Sequence, residues 1–259
     1  MSKATILRTE GLTKRFGGLV TTNRVNFELK EGEIKALIGP NGAGKTTFYN
    51  LITGVYKPDE GRITFMDEDI TRLPPHEICR KGIARTFQIT SIFPKLTVYE
   101  NVRLAAQVGF GRGVSAFRES STLKAVNEHV ANILEAVGLA DLRDRVSAEI
   151  SQGDQRLEEV AIALGSRPKL LLLDEPTAGL SATETWLLVE KIKELYNTGI
   201  IKNIIFVEHD LEVVTGLAHN ICVLNYGEVV KDGCVDDVCN DPGVQEVYLA
   251  GGKVNATEG

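Results

Sequence analysis

The sequence lacks any run of 18 apolar residues, and it lacks an excess of basic side chains, because 29 Lys and Arg face 35 Asp and Glu for a formal net charge of −6. The first absence argues against a chain that crosses a membrane by itself. The N-terminal stretch MSKATILRTEGL also lacks the continuous apolar core of a signal peptide. The negative charge argues against nucleic acid as a partner. We therefore expect a cytosolic chain that does not bind nucleic acid.

Cysteine is scarce as well, and its spacing indicates no metal site. No two of the four cysteines form a CxxC pair, and none of the four histidines has the spacing of a metal ligand. These residues are Cys79, Cys222, Cys234 and Cys239, with His76, His129, His209 and His219. We interpret the cysteines as reduced thiols rather than as disulfides or metal ligands.

The composition that remains, 43% hydrophobic and 25% charged residues in a chain of 259, suffices for one large α/β domain. Strand patterns dominate the start of the chain, and helical periodicity holds from about residue 94 to about residue 165. Apolar strands return in KLLLLDEP and NIIFVEHD, and ICVLNYGEVVKDG predicts a hairpin. The predicted fold is therefore α/β, with a β-rich N-terminal subdomain and a helical insert subdomain. The motif GPNGAGKT, between a predicted strand and a predicted helix, indicates a P-loop (RecA-like) core.

The predicted domain organisation is a single domain over residues 1–254. Its β-rich part and P-loop core take residues 1–90 and 160–239, its helical subdomain takes residues 91–159, and a C-terminal helix and tail take residues 240–254. Within the helical part, GFGRGVSAFRESS is rich in glycine and serine and predicts a surface loop.

A glycine-rich motif follows the apolar strand IKALIG. GPNGAGKT satisfies G-x-x-x-x-G-K-[ST] after a predicted strand and before a predicted helix. In such a loop the backbone N–H groups face phosphate oxygens, the lysine reaches the β- and γ-phosphates, and the hydroxyl after it ligates Mg²⁺. A glycine-rich turn that only reverses the chain would not need the lysine, the hydroxyl residue and the flanking strand and helix. The motif predicts that the phosphates of a nucleotide bind, with Mg²⁺, to Gly39, Pro40, Asn41, Gly42, Ala43, Gly44, Lys45, Thr46 and Thr47.

Polar side chains end three other predicted strands. KLLLLDEP supplies Asp174, for the Mg²⁺ side of the cleft, and Glu175, a carboxylate that can orient or deprotonate an attacking water. His209 ends NIIFVEHD, and Gln88 ends IARTFQ. Because the carboxyl ends of parallel strands share one edge of a sheet, we expect His209 near the γ-phosphate. The alternative for His209 and Gln88 is an ordinary structural role.

A second candidate anion site lies at ISQGDQR, from Ile150 to Arg156, just before the helical run LEEVAIALG. The first turn of a helix presents backbone N–H groups and the positive end of the helix dipole, which attract an anion. This stretch has no lysine, however, and the P-loop already offers a better phosphate site.

The motifs resemble, in their order, those of ATP-binding-cassette ATPases: GPNGAGKTT, the glutamine of RTFQ, ISQGDQR, LLLLDEPTAGL and VEHD. The resemblance covers nearly the whole chain. It implies that two subunits pack head to tail and that Ser151 and Gly153, in the signature turn of one subunit, cap the γ-phosphate bound to the other. That arrangement accounts for an anion site without a lysine.

The resemblance also implies roles for the remaining polar residues. Glu175 is the catalytic base, and His209 is the switch that contacts the γ-phosphate. Gln88 contacts the region of the Mg²⁺ and the attacking water, and Asp174 supports the metal, which Thr46 also ligates.

Phe16, in TKRFGG, matches the aromatic residue that stacks on adenine, with Val25 beside it, although a buried core phenylalanine is the alternative reading. Two departures from the family pattern are present. The family signature is LSGGQ, and here Gln152 replaces its first glycine and Asp154 its glutamine. The loop after the two acids ends in Ser181, where the family usually has aspartate.

The stretch ITRLPPHEICRKGIARTFQ, followed by FPKLTVYENV, is similar to the ATPases of high-affinity branched-chain amino acid importers. This implies a peripheral subunit on the cytoplasmic face of the plasma membrane, paired with itself or with a paralogous ATPase. Its partners are two membrane-spanning permease subunits, which an extracytoplasmic binding protein feeds. The apolar residues after Gln88 are predicted either to receive a short helix of a permease or to pack internally; they are Ile89, Ile92, Phe93 and Leu96.

Two other functions remain open at this point. An exporter ATPase, such as one that drives lipopolysaccharide extraction, has similar motifs. A soluble cassette ATPase that acts on DNA or ribosomes usually has two cassettes or a long coiled-coil insertion, and the net charge of −6 also disfavours it. The resemblance implies that the ATPase itself does not contact the transported substrate.

Overall fold

The computed structural model describes residues 3–86, 92–110 and 120–246, apart from the side chains of residues 120–122. Within these ranges, no helix is both long enough and apolar enough to cross a bilayer. The described residues form two compact units. The first contains the chain up to Ile78 and from Asn203 on, and the second runs from Cys79 to Lys202.

The secondary structure alternates strands and helices along most of the chain. In chain order the elements are β1 (Thr5–Phe16), β2 (Leu19–Lys30), β3 (Ile34–Ile38), α1 (Lys45–Ile52), β4 (Glu60–Phe65), β5 (Glu68–Asp69), α2 (Pro75–Lys81), β6 (Ile83–Arg85), α3 (Val98–Gly109), α4 (Ser120–Val137), α5 (Gln152–Gly165), β7 (Leu170–Asp174), α6 (Ala182–Asn197), β8 (Ile204–Val207), α7 (Leu211–Leu217), β9 (Asn220–Asn225), β10 (Glu228–Cys234) and α8 (Val235–Cys239).

An antiparallel sheet in the first unit has the strand order β2-β1-β4-β5. β1 and β2 form a long hairpin whose register ends at Phe16 opposite Leu19. One face of this hairpin is apolar, as alternation along a half-buried strand predicts. Leu7, Val25 and Phe27 are among the side chains that this face buries.

A second set of strands in the first unit has the order β10-β9-β3-β8. β3 lies between β8 and β9 and is parallel to both, whereas β9 and β10 are antiparallel. Every residue of β3 and β8 is buried, as is typical of parallel strands. In β3 this includes Lys35, whose Nζ donates to Asp232 Oδ2 at 2.9 Å. Tyr226 and Gly227 both have positive φ in the turn between β9 and β10, which fits a two-residue hairpin turn. The predicted hairpin is present.

In the second unit, β6 and β7 pair in parallel. The helices α3, α4 and α5 pack on one another through apolar faces that bury residues such as Val102, Val130 and Leu164. A capping box begins α3, because the Thr97 hydroxyl accepts the Glu100 N–H and the Glu100 carboxylate accepts the Thr97 N–H. These contacts satisfy donors that the helix itself leaves without partners.

The predicted α/β fold is confirmed by these elements. The division into a β-rich part (1–90 and 160–239) and a helical subdomain (91–159) stays a prediction, because the second compact unit contains β6, β7 and α6 together with the helices. Most of the predicted GFGRGVSAFRESS loop lies outside the described residues, and so does the end of the chain after residue 246.

Candidate functional site

The P-loop follows β3 directly and folds as only glycine allows at two positions. Gly39 has φ 150° and Gly44 has φ 103°. A Cβ at Gly39 would overlap the Leu224 carbonyl oxygen, and a Cβ at Gly44 would overlap the Thr21 carbonyl oxygen. The loop is therefore held close to β9 and to β2, and its backbone conformation is not open to other residues.

Lys45 lies over this loop and begins α1. Its Nζ donates to the Gly39 carbonyl at 2.6 Å and to the Pro40 carbonyl at 3.0 Å, and its side chain is buried. The N-cap of α1 is Gly44, which offers no side-chain acceptor, and the first turn contains no acidic residue. The start of α1 thus combines an ammonium group with helix N–H donors, and this combination attracts an anion.

The other predicted P-loop residues lie on the same segment. Ala43 is buried, and its carbonyl accepts the N–H of Gly227 at 2.9 Å. Asn41, Gly42 and Thr46 are exposed, and Thr47 is half-buried. The hydroxyl of Thr46 is therefore accessible to a metal or phosphate ligand.

His209 lies at the same sheet edge as the P-loop. β3 and β8 are neighbouring parallel strands, with Leu37 paired to Val207. Gly39 and His209 each follow this pair by two residues, and the His209 side chain is exposed. Because paired residues on neighbouring strands lie about 5 Å apart, the structure brings His209 beside the P-loop, as predicted.

Phe16 is 42% exposed at the end of β1, and its ring makes an edge contact with Tyr56, with 5.2 Å between ring centroids. Val25 does not accompany it, because this residue is 1% exposed in the core under β2. The prediction that Val25 lies beside a nucleotide base is therefore corrected. Two exposed apolar residues of β2 lie near Phe16 instead: Leu19 is paired with Phe16, and Val20 is paired with Arg15.

Asp174 ends β7 in the second unit and is buried. Its Oδ2 accepts a hydrogen bond from Arg85 Nη2 at 2.6 Å, and its backbone N–H donates to Thr86 Oγ1 at 3.3 Å. Arg85 ends β6, where it is paired with Leu172 of β7. The sequence analysis missed Arg85, although its place at the end of a strand in IARTFQ was a readable signal. The ion pair offsets the cost of burying the Asp174 carboxylate.

Glu175 follows directly and has φ 47°, the left-handed conformation that non-glycine residues rarely adopt. Its carbonyl accepts the Ala178 N–H at 3.1 Å, which closes a turn after the strand. Arg156 of α5 donates to the Ala178 carbonyl at 3.2 Å. The loop that carries Glu175 is thus tied to the helix that begins at the signature turn. Strained backbone of this kind is concentrated at functional sites.

Ser151 is the N-cap of α5. Its Oγ accepts the Asp154 N–H at 3.1 Å and donates to Asp154 Oδ2 at 2.7 Å. Gly153 follows in the first turn of the helix and faces Glu184 of α6. The predicted signature turn is therefore the N-terminus of a helix, as an anion-capping role requires. Gln88 lies outside the described residues.

Known proteins similar to this chain agree with one another. A family model described as ABC transporter matches residues 22–178, more than half of the chain. A probable branched-chain amino acid transport ATP-binding protein of Archaeoglobus fulgidus is 41% identical over 247 residues, which cover 94% of this chain and 95% of the relative. The high-affinity branched-chain amino acid transport ATP-binding protein LivG of Escherichia coli K12 is 40% identical over 252 residues, which cover 94% and 97%.

The chain belongs to the ABC transporter family. A crystal structure of the ADP conformation of an ATP-binding cassette of an ABC transporter superposes on this ABC ATPase with a TM-score of 0.83. The two sequences are 32% identical, and the match covers 95% of this chain and 99% of the other. The resemblance inferred from the motifs is confirmed, and with it nucleotide binding and ATPase activity.

A buried polar chain connects Phe93 to α5 in this ABC ATPase. The Phe93 N–H donates to Asn101 Oδ1 at 2.9 Å, and Asn101 Nδ2 donates to the Phe93 carbonyl at 3.1 Å. Asn101 Nδ2 also donates to Ser147 Oγ at 2.9 Å, and Ser147 Oγ donates to Glu158 Oε1 at 2.6 Å. Asn101, Ser147 and Glu158 are all buried. The loop that exposes Phe93 is therefore hydrogen-bonded, through side chains, to the signature helix.

Burial raises the pKa of Glu158, although the hydrogen bond from Ser147 opposes the rise. No described residue donates to Glu158 Oε2. Because the folded-state pKa lies above the unfolded one, Glu158 favours the folded state most at low pH, and this contribution is lost as pH rises through the folded-state pKa.

We expect Glu158→Gln to make the thermal midpoint less sensitive to rising pH, because the amide keeps an acceptor for Ser147 and cannot ionise. The measurement is the midpoint of thermal unfolding of wild type and variant from about pH 5 to about pH 8. The control is Glu135→Gln, which makes the same change at an exposed position of α4. Parallel curves for wild type and Glu158→Gln would mean that Glu158 does not titrate with folding.

Proposed function

We propose that this ABC ATPase hydrolyses ATP to drive the uptake of branched-chain amino acids, as the ATP-binding subunit of an importer. The observation that carries the proposal is the similarity to proteins named as branched-chain amino acid transport ATP-binding proteins, at 41% and 40% identity over 94% of this chain. The contacts of the predicted site residues support the roles that follow.

The phosphates of ATP bind to the P-loop from Gly39 to Thr47. Lys45 exchanges its hydrogen bonds to the Gly39 and Pro40 carbonyls for bonds to the β- and γ-phosphates, and a charged donor makes the stronger bond to a charged acceptor. The N–H groups at the start of α1 supply further donors, and the exposed Thr46 and half-buried Thr47 add hydroxyl groups.

Thr46, Asp174 and Gln88 are the residues that would hold Mg²⁺. Their hydroxyl, carboxylate and amide groups supply hard oxygen donors, which Mg²⁺ prefers. Asp174 fits this role because its burial and its bond from Arg85 fix the orientation of the carboxylate. When bound, Mg²⁺ neutralises negative charge on the phosphates.

Glu175 is the general base for the attacking water, and Gln88 helps to orient that water. The turn closed by the Ala178 N–H fixes the backbone of Glu175, so the carboxylate is presented from a defined position. His209 contacts the γ-phosphate from the end of β8, beside the P-loop. A histidine in this place donates a hydrogen bond to the γ-phosphate. This hydrogen bond is lost when the phosphate leaves.

Adenine stacks on Phe16, which Tyr56 supports from the side. Leu19 and Val20 replace Val25 as the neighbouring apolar contacts. Thr21, the next residue of β2, already touches the P-loop at Gly44, so this edge of the hairpin is close to the phosphates. A base held here is therefore within reach of the same loop that holds its phosphates.

The ATP site is completed by a second ATPase subunit, which is either a copy of this chain or a paralogue. In a head-to-tail dimer, Ser151 and Gly153 of one subunit cap the γ-phosphate on the P-loop of the other. The N-terminus of α5 supplies a hydroxyl, a backbone N–H and the positive end of a helix dipole. Gln152 and Asp154 change the side chains of the turn but leave the Ser151 hydroxyl and the Gly153 N–H in place.

The dimer works at the cytoplasmic face of the membrane on two permease subunits, which an extracytoplasmic binding protein supplies. Phe93 is 59% exposed, Ile92 and Leu96 are half-buried, and Ile89 lies outside the described residues. A short permease helix packs on Phe93 in the manner of a helix in a groove. The hydrogen-bonded chain through Asn101 would transmit a movement of that helix to α5.

We expect Phe93→Glu to abolish coupled uptake and to leave the basal ATPase rate nearly unchanged, because a charge blocks apolar docking and Phe93 touches no phosphate. The measurements are copurification of permease subunits with the tagged chain, amino acid uptake by vesicles, and ATP hydrolysis by the isolated chain. Leu104→Glu, at another exposed apolar position on α3, is the control. Equal loss of uptake and basal hydrolysis in Phe93→Glu would point to internal packing instead, and copurification of exporter components would contradict the importer assignment.

A further inference from the structure

Glu184 of α6 lies against the signature turn. Its carboxylate accepts the N–H of Ser181 at 2.9 Å and the Oγ–H of Ser181 at 2.7 Å. The Glu184 carboxylate also lies against Gly153 of the turn. The two hydrogen bonds from Ser181, with a smaller contribution from the backbone N–H of Gly153, hold the pKa of Glu184 below its usual range. The carboxylate is therefore charged at neutral pH, and it lies beside a donor that the proposed function assigns to the γ-phosphate of another subunit.

The approach of Glu184 depends on the absence of a side chain at Gly153. A Cβ at this position would lie 3.2 Å from Glu184 Oε1 and 3.3 Å from its Cγ, and contacts this short require the neighbour to shift. The same open space that would let a phosphate reach the helix N-terminus thus admits the chain's own carboxylate.

The other donor of the signature turn, the Ser151 hydroxyl, is hydrogen-bonded to a carboxylate. Ser151 Oγ donates to Asp154 Oδ2 at 2.7 Å. Both hydrogen-bond donors of the turn, the Ser151 hydroxyl and the Gly153 N–H, therefore face carboxylates from the same unit. Asp154 stands where the family signature has an uncharged glutamine, so one of these charges is a departure from the family pattern.

Ser181 also forms hydrogen bonds with Glu184 at the start of α6. Its hydroxyl accepts the Glu184 N–H at 3.4 Å and donates to the Glu184 carboxylate, which makes Ser181 and Glu184 a capping box for α6. The aspartate that the family usually has at this position could not donate a side-chain hydrogen bond while ionised. When Glu184 leaves Gly153, the bonds from Ser181 remain, so release does not require α6 to lose its cap.

We propose that Glu184 and Asp154 keep the signature turn capped by its own carboxylates, and that ATP-driven dimerisation must displace Glu184 from Gly153 before the turn can accept a partner's γ-phosphate. This inference rests on the proposed cross-subunit role of Ser151 and Gly153. The two carboxylates raise the ATP concentration that closure needs, because two like charges must approach the phosphate or move away from it. Glu184 is thus a positioning residue for the signature turn and does not take part in the chemistry.

The test is Glu184→Gln, measured in a chain that also carries Glu175→Gln so that ATP is not consumed. Glutamine keeps the capping box and removes only the charge. We expect the ATP concentration at half-maximal dimerisation, measured by sedimentation, to fall about three- to tenfold, the size of effect of one unit charge near a phosphate at a protein surface. Glu190→Gln makes the same change at an exposed position of α6 and should leave this concentration unchanged.

A second variant and a direct readout keep the inference falsifiable. Asp154→Asn should lower the same concentration in the same direction, and the Gly153 amide resonance of the monomer should shift with the titration of Glu184 and lose that shift in Glu184→Gln. An unchanged or higher ATP concentration at half-maximal dimerisation in both variants would overturn the inference. A Gly153 amide resonance that does not shift with the titration of Glu184 would also overturn it. If the chain dimerises only with a paralogous ATPase, the same titration is made with that subunit.

The inference and the proposed function fail in different ways. If Ser151→Glu prevents dimerisation while Glu184→Gln changes nothing, the turn caps a phosphate across the interface and only the role of Glu184 is wrong. If Ser151→Glu dimerises as its parent does, the cross-subunit role of the signature turn is itself wrong.

Discussion

A Glu175→Gln chain binds ATP as tightly as the wild type and hydrolyses it about 10² to 10⁴ times more slowly, because a positioned general base contributes rate enhancement of that order. Glutamine keeps the shape of the side chain at the strained position after β7 but cannot take a proton from water. The ATP-bound dimer should then persist instead of turning over. Steady-state hydrolysis, nucleotide affinity and sedimentation in ATP measure these three outcomes.

The matched control for this variant is Glu135→Gln, which removes the same charge from the exposed face of α4. It should hydrolyse ATP at the wild-type rate. A Glu175→Gln chain that is fully active, and that stays monomeric in ATP, would remove Glu175 from the role of base and would leave the turn around its positive φ without a catalytic explanation.

Replacement of Lys45 by alanine should weaken ATP binding by at least about 30-fold, because the loss of a buried, hydrogen-bonded charge partner costs about 2 kcal/mol or more. In the described structure the ammonium group is held over the P-loop by the Gly39 and Pro40 carbonyls, so it needs no large movement to reach a phosphate. Hydrolysis should fall with binding. Equilibrium titration with ATP and Mg²⁺ measures the affinity.

Lys30→Ala, at an exposed lysine that ends β2, controls for the loss of one positive charge and should bind ATP normally. Thermal unfolding of Lys45→Ala shows whether the P-loop still folds, since the same substitution removes two hydrogen bonds to its carbonyls. If a folded Lys45→Ala chain bound ATP as tightly as the wild type, the P-loop assignment would fail.

The parts of the fold that the sequence predicts well are those with a strong local signal. Gly39 and Gly44 of GPNGAGKT are needed where φ is positive and neighbouring carbonyls leave no room for Cβ, so the motif and the geometry coincide at these positions. β8 is a continuous apolar run, β3 is apolar except for Lys35, and each strand is buried along its whole length. Their parallel pairing then brings His209 beside the P-loop, as the rule on strand ends predicts.

Val25 shows where local reading goes wrong. It shares a face of β2 with Phe27 and Leu29, two and four residues away, and all three are buried. This period of two was visible in VNFEL and should have placed Val25 in the core. Leu19 and Val20 escape that pattern because Arg24 has φ 47° and the register between β1 and β2 shifts at several points, which no single-strand period predicts.

Arg85 and Glu184 were missed for a different reason. Each acts through a contact with a residue far away in sequence: Arg85 binds Asp174, and Glu184 lies against Gly153. Such contacts depend on the pairing of β6 with β7 and on the packing of α6 near the start of α5. Composition and periodicity give the elements but not these pairings, and the polar chain from Phe93 to Glu158 is hidden for the same reason.

The central claim is that the signature turn of one subunit completes the ATP site of another. The most direct test is an ATP titration of the Ser151→Glu chain carrying Glu175→Gln, in which nucleotide binding and dimer mass are followed in the same sample, with the paralogous ATPase present if the parent needs it. We predict ATP binding equal to that of the Glu175→Gln parent and no ATP-dependent dimer, because the added carboxylate repels only a phosphate that arrives on another subunit. Loss of ATP affinity by the monomer, or a dimer that forms as readily as in the parent, would contradict the claim.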